Sequence, residues 1–148
     1  MSKALIVRNT IKVNADAKRV WEVLTQPQWT RKYMFGCDVV SDWKVGHPVL
    51  WKAITDGQDV VYVKGQVVNV IPRKRLEYTA IGHNSVYEDI PSNYTTVTYE
   101  LSFVDGKTVL SISQGDFMNV VDGQRRYSET VKGWNTALND LKMLLNKS

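Results

Sequence analysis

The end of the chain constrains everything before it. Val131, Trp134, Leu138, Leu141 and Leu145 step by three and four, which sets them on one face of an α-helix, and Ala137 and Leu144 widen that face. A helix over about residues 124–146 is roughly 34 Å long at ~1.5 Å per residue. A stripe of that length must be buried against an apolar surface of similar extent.

The preceding residues supply such a surface. Leu5 to Val13 alternates, with Leu5, Val7, Ile11 and Val13 on one face and Arg8, Thr10 and Lys12 on the other. After the turn at Gly46-His47-Pro48, Val49, Trp51 and Ala53 alternate with Leu50, Lys52 and Ile54. Val60 to Ile71 is a long run rich in β-branched residues, stopped by Pro72. Leu76, Tyr78 and Ala80 share one face of the next strand, and Val97, Tyr99, Leu101 and Phe103 share one face of another. Asp105-Gly106 is a strong hairpin signal, and Val109 to Asp116 returns as its partner. Strands joined by tight turns indicate an antiparallel meander rather than parallel βαβ units.

Only one stretch interrupts this run. Asn14 offers a helix cap, Asp16 suits a first turn, and Val20, Trp21, Val23 and Leu24 form an apolar stripe. Thr25-Gln26-Pro27 ends that helix and starts a second, which carries Trp29 and Tyr33 and stops at Gly36. The expected architecture is α+β: a curved antiparallel sheet, two short helices, and a long C-terminal helix gripped by the sheet. With 148 residues, 43% of them hydrophobic and 23% charged, residues 1–148 are expected to form a single domain.

A curved sheet and a straight helix cannot touch along their full lengths. Leu138, Leu141 and Leu145 suit tight packing, whereas Tyr127, Val131 and Trp134 sit where the helix should leave the sheet. Apolar area with a few polar groups is what a ligand pocket needs. The residues expected around such a cavity are Trp29, Tyr33, Trp51, Tyr78, Tyr99, Gln114, Tyr127, Val131 and Trp134, with His83 also on the path. Gln114 and Asp116 share parity with Leu110 and Ile112 and are expected to point inward. Equally, the tyrosine hydroxyls and Gln114 could simply satisfy buried backbone groups. Five Trp and seven Tyr fit a pocket, an interface or a rich core.

Composition narrows the partners. Net charge is +4, but Arg73-Lys74-Arg75 after Pro72 reads as a solvated hairpin tip, and no nucleic-acid-binding motif is visible. The single Cys37 forms no internal disulfide, and no apolar run suits a signal peptide or a membrane span. The expected address is the cytoplasm. Two His and one Cys give no metal-ligand spacing, and phosphate loops and nucleophile elbows are absent, so no cofactor is expected. One acid–base grouping stands out: His83 with Glu88 and Asp89, in the polar loop that begins at Gly82. His83 could act as a base oriented by either carboxylate, although a solvated loop is the plainer reading.

Taken in order, several segments resemble a known family. Val20-Trp21 with Leu24, Pro27 and Trp29 resembles the early helical signature of the SRPBCC (START-like) superfamily. Trp43-Lys44-Val45-Gly46 with Trp51 resembles, more narrowly, the homologues of the activator of heat-shock protein 90 ATPase. Gly65-Gln66-Val67, Pro72, Leu76-Glu77-Tyr78-Thr79, Val97-Thr98-Tyr99-Glu100-Leu101, Leu110, Phe117 and Gly133-Trp134 with Leu138 and Leu141 continue that likeness. The resemblance implies a helix-grip fold, like that of the birch-pollen allergen, with a cavity for lipids, sterols, polyketides or aromatic molecules. Full-length activators carry a further N-terminal domain, for which this chain has no room. His47, where relatives have a small residue, and the long polar loop over 82–93 also set the chain apart.

Three functions follow as expectations. The first is a binding module for an apolar, aromatic or lipid-like small molecule. The second is a cyclase- or dehydratase-like enzyme on polyketide-type substrates. The third is a chaperone-interacting domain or homodimer that uses its aromatic surface; exposure of both Trp43 and Trp51 would favour it, and burial would favour core or pocket.

Overall fold

Period-two and period-3.6 patterns separate in space into one sheet and one long helix. A computed structural model describes residues 4–82 and 87–146. The elements are β1 (Val7–Val13), α1 (Ala17–Thr25), α2 (Pro27–Thr30), β2 (Asp38–Val40), β3 (Pro48–Thr55), β4 (Gln58–Ile71), β5 (Arg75–Gly82), β6 (Thr95–Val104), β7 (Lys107–Gly115) and α3 (Gly123–Asn146). The seven strands form one antiparallel sheet in the order β1-β7-β6-β5-β4-β3-β2, so α1 and α2 lie within the crossing from one edge strand to the other. This is the α+β helix-grip arrangement that the sequence predicts.

Curvature comes from two irregularities in the central strands. The β3–β4 register shifts between Trp51 and Lys52, and the β4–β5 register shifts between Val67 and Asn69. Bulges bend a strand and increase its twist. Close by, Gly65 lets β4 pass the backbone of β5: a Cβ there would lie 1.6 Å from the Thr79 carbonyl oxygen. The concave face so formed carries Val67, Leu76, Tyr78, Val97, Tyr99, Leu110 and Ile112, all buried. Against it lies α3, whose Trp134, Ala137, Leu138, Leu141 and Leu145 are buried.

Local chemistry departs from expectation in a few places. Asp16, rather than Asn14, caps α1: its Oδ1 accepts from the Arg19 N–H at 2.8 Å. Asn14 serves the other end of the chain, its N–H donating to Asn146 Oδ1 at 2.9 Å. The second helix is shorter than predicted and ends at Thr30; Tyr33 belongs to the turns that follow, which close at Gly36 with φ of +79°. Asp116 does not point into the sheet's hollow. It accepts from the Leu5 N–H at 2.8 Å and the Met118 N–H at 2.9 Å, tying the N-terminal segment to the end of β7. Phe103, near the β6–β7 hairpin, is exposed although its strand-mates Val97, Tyr99 and Leu101 are buried. The hairpin turn itself has Asp105 and Gly106 both at positive φ, as a type I′ turn requires.

Candidate functional site: a cavity under the first half of the long helix

Where α3 departs from the sheet, a cavity of about 660 Å³ opens. Its floor is Trp51, Ala53, Val63, Tyr78, Ala80 and Val97 from β3 to β6. Thr130, Gly133, Trp134 and Ala137 of α3 form the roof, and Met34 to Cys37 form one side. The roof exists because three of its four residues are small. Thr130, Gly133 and Ala137 share a helix face with Trp134, and a Cβ added at Gly133 would meet nothing within 4 Å.

The side wall depends on Thr30. Its buried hydroxyl donates to the Cys37 carbonyl at 3.1 Å and accepts from the Val39 N–H at 3.0 Å, which fixes the turns between α2 and β2. Those turns carry Phe35 outward at φ of +56°. Phe35, Ile54 and Tyr62 are exposed at the rim, and Tyr62 shares a 2.5 Å hydroxyl bond with Thr55.

An aromatic chain runs beneath the cavity. Tyr78 lies 6.3 Å from both Trp43 and Trp51, Tyr99 lies 5.8 Å from Tyr78, and Trp134 meets Tyr99 edge-on at 6.1 Å. Polar atoms along it are paired. Tyr78 and Tyr99 share a hydroxyl–hydroxyl bond of 2.8 Å. Trp134 Nε1 donates to Gln114 Oε1 at 2.8 Å, and Gln114 Nε2 donates to Thr95 Oγ1 at 3.0 Å. Burial pushes the phenols of Tyr33, Tyr78 and Tyr99 well above their ordinary pKa, so all three are neutral hydrogen-bonding groups at physiological pH.

Of the nine residues expected around a cavity, the structure brings Trp51, Tyr78, Gln114 and Trp134 to its wall. Tyr99 sits behind Tyr78. Tyr33 is buried beside α1, its hydroxyl donating to the Val23 carbonyl at 2.8 Å. Trp29 packs at the margin of the core outside the cavity wall, with Arg19 over its ring at 4.0 Å and Lys32 at 5.1 Å. Tyr127 packs edge-on against Phe117 at 6.1 Å, and Val131 joins the margin of the core. Sequence reasoning missed Thr130, Gly133 and Ala137, although their spacing from Trp134 was legible. It also missed the Met34–Cys37 wall, which no periodicity marks.

His83 lies outside the described residues. Glu88 is exposed, and its carbonyl accepts from Asn93 Nδ2 at 2.9 Å. Asp89 binds Lys64 Nζ and accepts from the Tyr94 hydroxyl at 2.6 Å; that phenol is pushed up to about 12, first by burial and then by the Asp89 bond. Both carboxylates stand away from the cavity wall. His47 Nδ1 pairs with Asp42 Oδ2 at 2.7 Å in the turn before β3, and that bond holds the Asp42 carboxyl below its ordinary value. Arg75 of the basic cluster is tied to Glu77 and Glu100, each at 3.1 Å. Among the described residues no three His, Cys, Asp or Glu side chains gather as a metal site, and no helix is long and apolar enough to cross a membrane.

The family model described as "Activator of Hsp90 ATPase homolog 1-like protein" matches residues 14–146. The chain belongs to that family. A similar solved structure is the solution structure of ChR145 from Cytophaga hutchinsonii, 30% identical with a TM-score of 0.78 over 99% of this chain and 97% of that one. The Aha1 dimer from Colwellia psychrerythraea is similar in fold, with 18% identity and a TM-score of 0.71 over 95% of this chain and 96% of that one. So is DynU16, a protein of the dynemicin biosynthetic locus, with 19% identity and a TM-score of 0.69 over 97% of this chain and 48% of that one. No curated protein matches the sequence.

Proposed function

We propose that this member of the family binds one small apolar or aromatic molecule in the cavity between β3–β6 and the first half of α3. The observation that carries the reading is the cavity itself: about 660 Å³ beneath a helix whose other half is packed without a gap. An unfilled apolar hollow of that size leaves its walls without the packing contacts that a core provides. Burying about 200 Å² of ligand returns ~5 kcal/mol at ~25 cal/mol per Å². Association takes back a share, which leaves affinities near micromolar.

Native mass spectrometry of the purified protein, with a thermal-shift screen of lipids, sterols and flavonoid-like aromatics, tests the reading. A retained apolar molecule or a saturating rise in Tm supports it. A clean apo mass with no shift across the screen removes it.

A second reading, a cyclase- or dehydratase-like enzyme, draws support from Tyr78 at the wall, whose hydroxyl is paired with that of Tyr99 behind it. A buried, protonated phenol can donate to a bound carbonyl, so Tyr78→Phe should abolish turnover of any accepted substrate while leaving its binding intact. The interaction-domain reading has less behind it. Trp51 is buried, and half-buried Trp43 donates its Nε1–H to the Thr25 carbonyl at 3.0 Å, so both serve the core and pocket.

A further inference from the structure

Beside the cavity lies a second, smaller pocket of about 270 Å³. Val63, Ala80, Gln114 and Thr130 line both, so the two spaces abut along that seam. Their chemistry differs. The larger is walled mainly by carbon, whereas the smaller is faced by Arg126, Glu129, Tyr87 and Thr95.

Arg126 comes from the first turn of α3 and is only partly exposed. Its guanidinium stacks on the Tyr87 ring at 4.7 Å, Nη2 donates to the Asn93 carbonyl at 2.8 Å, and Nη1 donates to the Val121 carbonyl at 3.4 Å. Those bonds use two of the five N–H donors that a guanidinium carries. Among the described residues Arg126 has no ion-pair partner. The neighbouring Arg125 takes Glu129 at 3.1 Å and approaches Asp122 at 3.9 Å, while Asp122 also accepts from the Tyr87 hydroxyl at 3.0 Å. Asp122 stands at the start of α3, its carbonyl accepting from the Arg126 N–H at 3.0 Å, and the first turn itself carries no acidic residue. Burial pushes the Arg126 guanidinium below its ordinary pKa, against an opposing pull from the Tyr87 hydroxyl and the Asp122 carboxylate nearby.

We propose that Arg126 receives the carboxylate of the ligand, so that the molecule held here is an apolar or aromatic carboxylic acid. Its body lies against Trp51, Tyr78 and Trp134, and its acid group crosses the Gln114 seam into the smaller pocket. The inference rests on the cavity-binding reading above. A monoanion fits better than a phosphate ester. The pocket offers one guanidinium fork, which matches the two oxygens of a carboxylate, and Glu129 on the same wall would repel a dianion more strongly.

Matched acid and alcohol probes test this: pyrenebutyrate against pyrenebutanol, naphthaleneacetate against naphthaleneethanol, and decanoate against decanol, titrated calorimetrically at low and high salt. The full-length protein should prefer each bound acid over its alcohol by about tenfold or more, and the preference should shrink with salt. Arg126→Gln should bring the acid down to the level of the alcohol while leaving the alcohol unchanged, and Arg126→Lys should keep part of the preference. Circular dichroism and Tm check that the variants fold; should Arg126→Gln fail to fold, the selectivity of the unaltered protein and of Arg126→Lys still decides. Equal binding of acids and alcohols would overturn the acid site and leave the cavity reading standing. An equal loss of both in folded Arg126→Gln would make Arg126 structural and also overturn it. No binding of any probe by the unaltered protein would overturn both readings.

Discussion

Gly133 and Leu145 stand on one helix, twelve residues apart, and do opposite work. Around Leu145 and Leu141 the helix lies directly on the sheet, both side chains are buried, and the Asn14 N–H closes the end on Asn146. Around Gly133 the cavity side of the helix carries glycine, alanine and threonine beside Trp134, over a sheet whose register shifts in β3–β4 and β4–β5. One half of α3 spends its hydrophobic area on stability; the other half is pared back so that a space remains. The difference lies in side-chain volume along one helix, so a stable fold and an open site can be set separately.

The largest break in this comparison should come from the packed half. Leu141→Ala removes a fully enclosed side chain and should lower unfolding free energy by ~2–5 kcal/mol in urea titrations. The affinity of the remaining folded protein for a cavity probe should be unchanged. Trp134→Ala should invert the pattern. Trp134 is only 5% exposed, yet one of its sides faces the cavity rather than packed atoms. Its loss should cost less than the ~3–5 kcal/mol typical of an enclosed tryptophan, while weakening probe binding about tenfold or more. A pure stability effect with unaltered affinity would make Trp134 ordinary core.

A smaller effect of opposite sign belongs to Gly133. Glycine inside a helix is worse than alanine by ~0.5–1 kcal/mol, and the added methyl meets no neighbour. Gly133→Ala should therefore raise Tm modestly; a loss of stability would show that the space is not open. The smallest effect should come from Glu77, which faces away from both halves on β5. Its carboxyl lies below its ordinary value, chiefly through the Arg75 bond and helped by Asn69 and Thr98, against an opposing push from burial. A depressed carboxyl contributes stability above the unfolded value near 4.5 that is lost as pH falls through the folded one. Glu77→Gln should cost under about 1 kcal/mol at pH 7, flatten the acid side of the stability curve, and leave probe affinity alone.

The sequence makes these two halves unequally legible. Leu138, Leu141 and Leu145 announce themselves by periodicity, and the strands pairing beneath them do so by alternation, because burial against a regular surface imprints a regular pattern. A cavity imprints mainly the absence of bulk. Thr130 and Gly133 carry no signal of enclosure, Ala137 reads only as part of the apolar stripe, and the Met34–Cys37 wall depends on hydrogen bonds to Thr30 that span several residues of irregular chain. Trp51, Tyr78, Gln114 and Trp134 were readable because they share strand or helix parity with core neighbours. Tyr33, Tyr127 and Trp29 are aromatic for other reasons: a backbone bond to Val23, an edge contact with Phe117, and a seat for Arg19 and Lys32. Residue type alone cannot separate those tasks from lining a pocket.

The central claim is that the space under the first half of α3 is a binding site. Its most direct test narrows that space from within. Gly133→Leu and the unaltered protein should be titrated side by side with pyrenebutanol and unfolded in parallel with urea. The account predicts one site per chain in the unaltered protein, and a variant that is at least as stable but binds the probe about tenfold or more weakly. Undiminished binding by the Gly133→Leu variant, or no binding by the unaltered and fully folded protein, would contradict it.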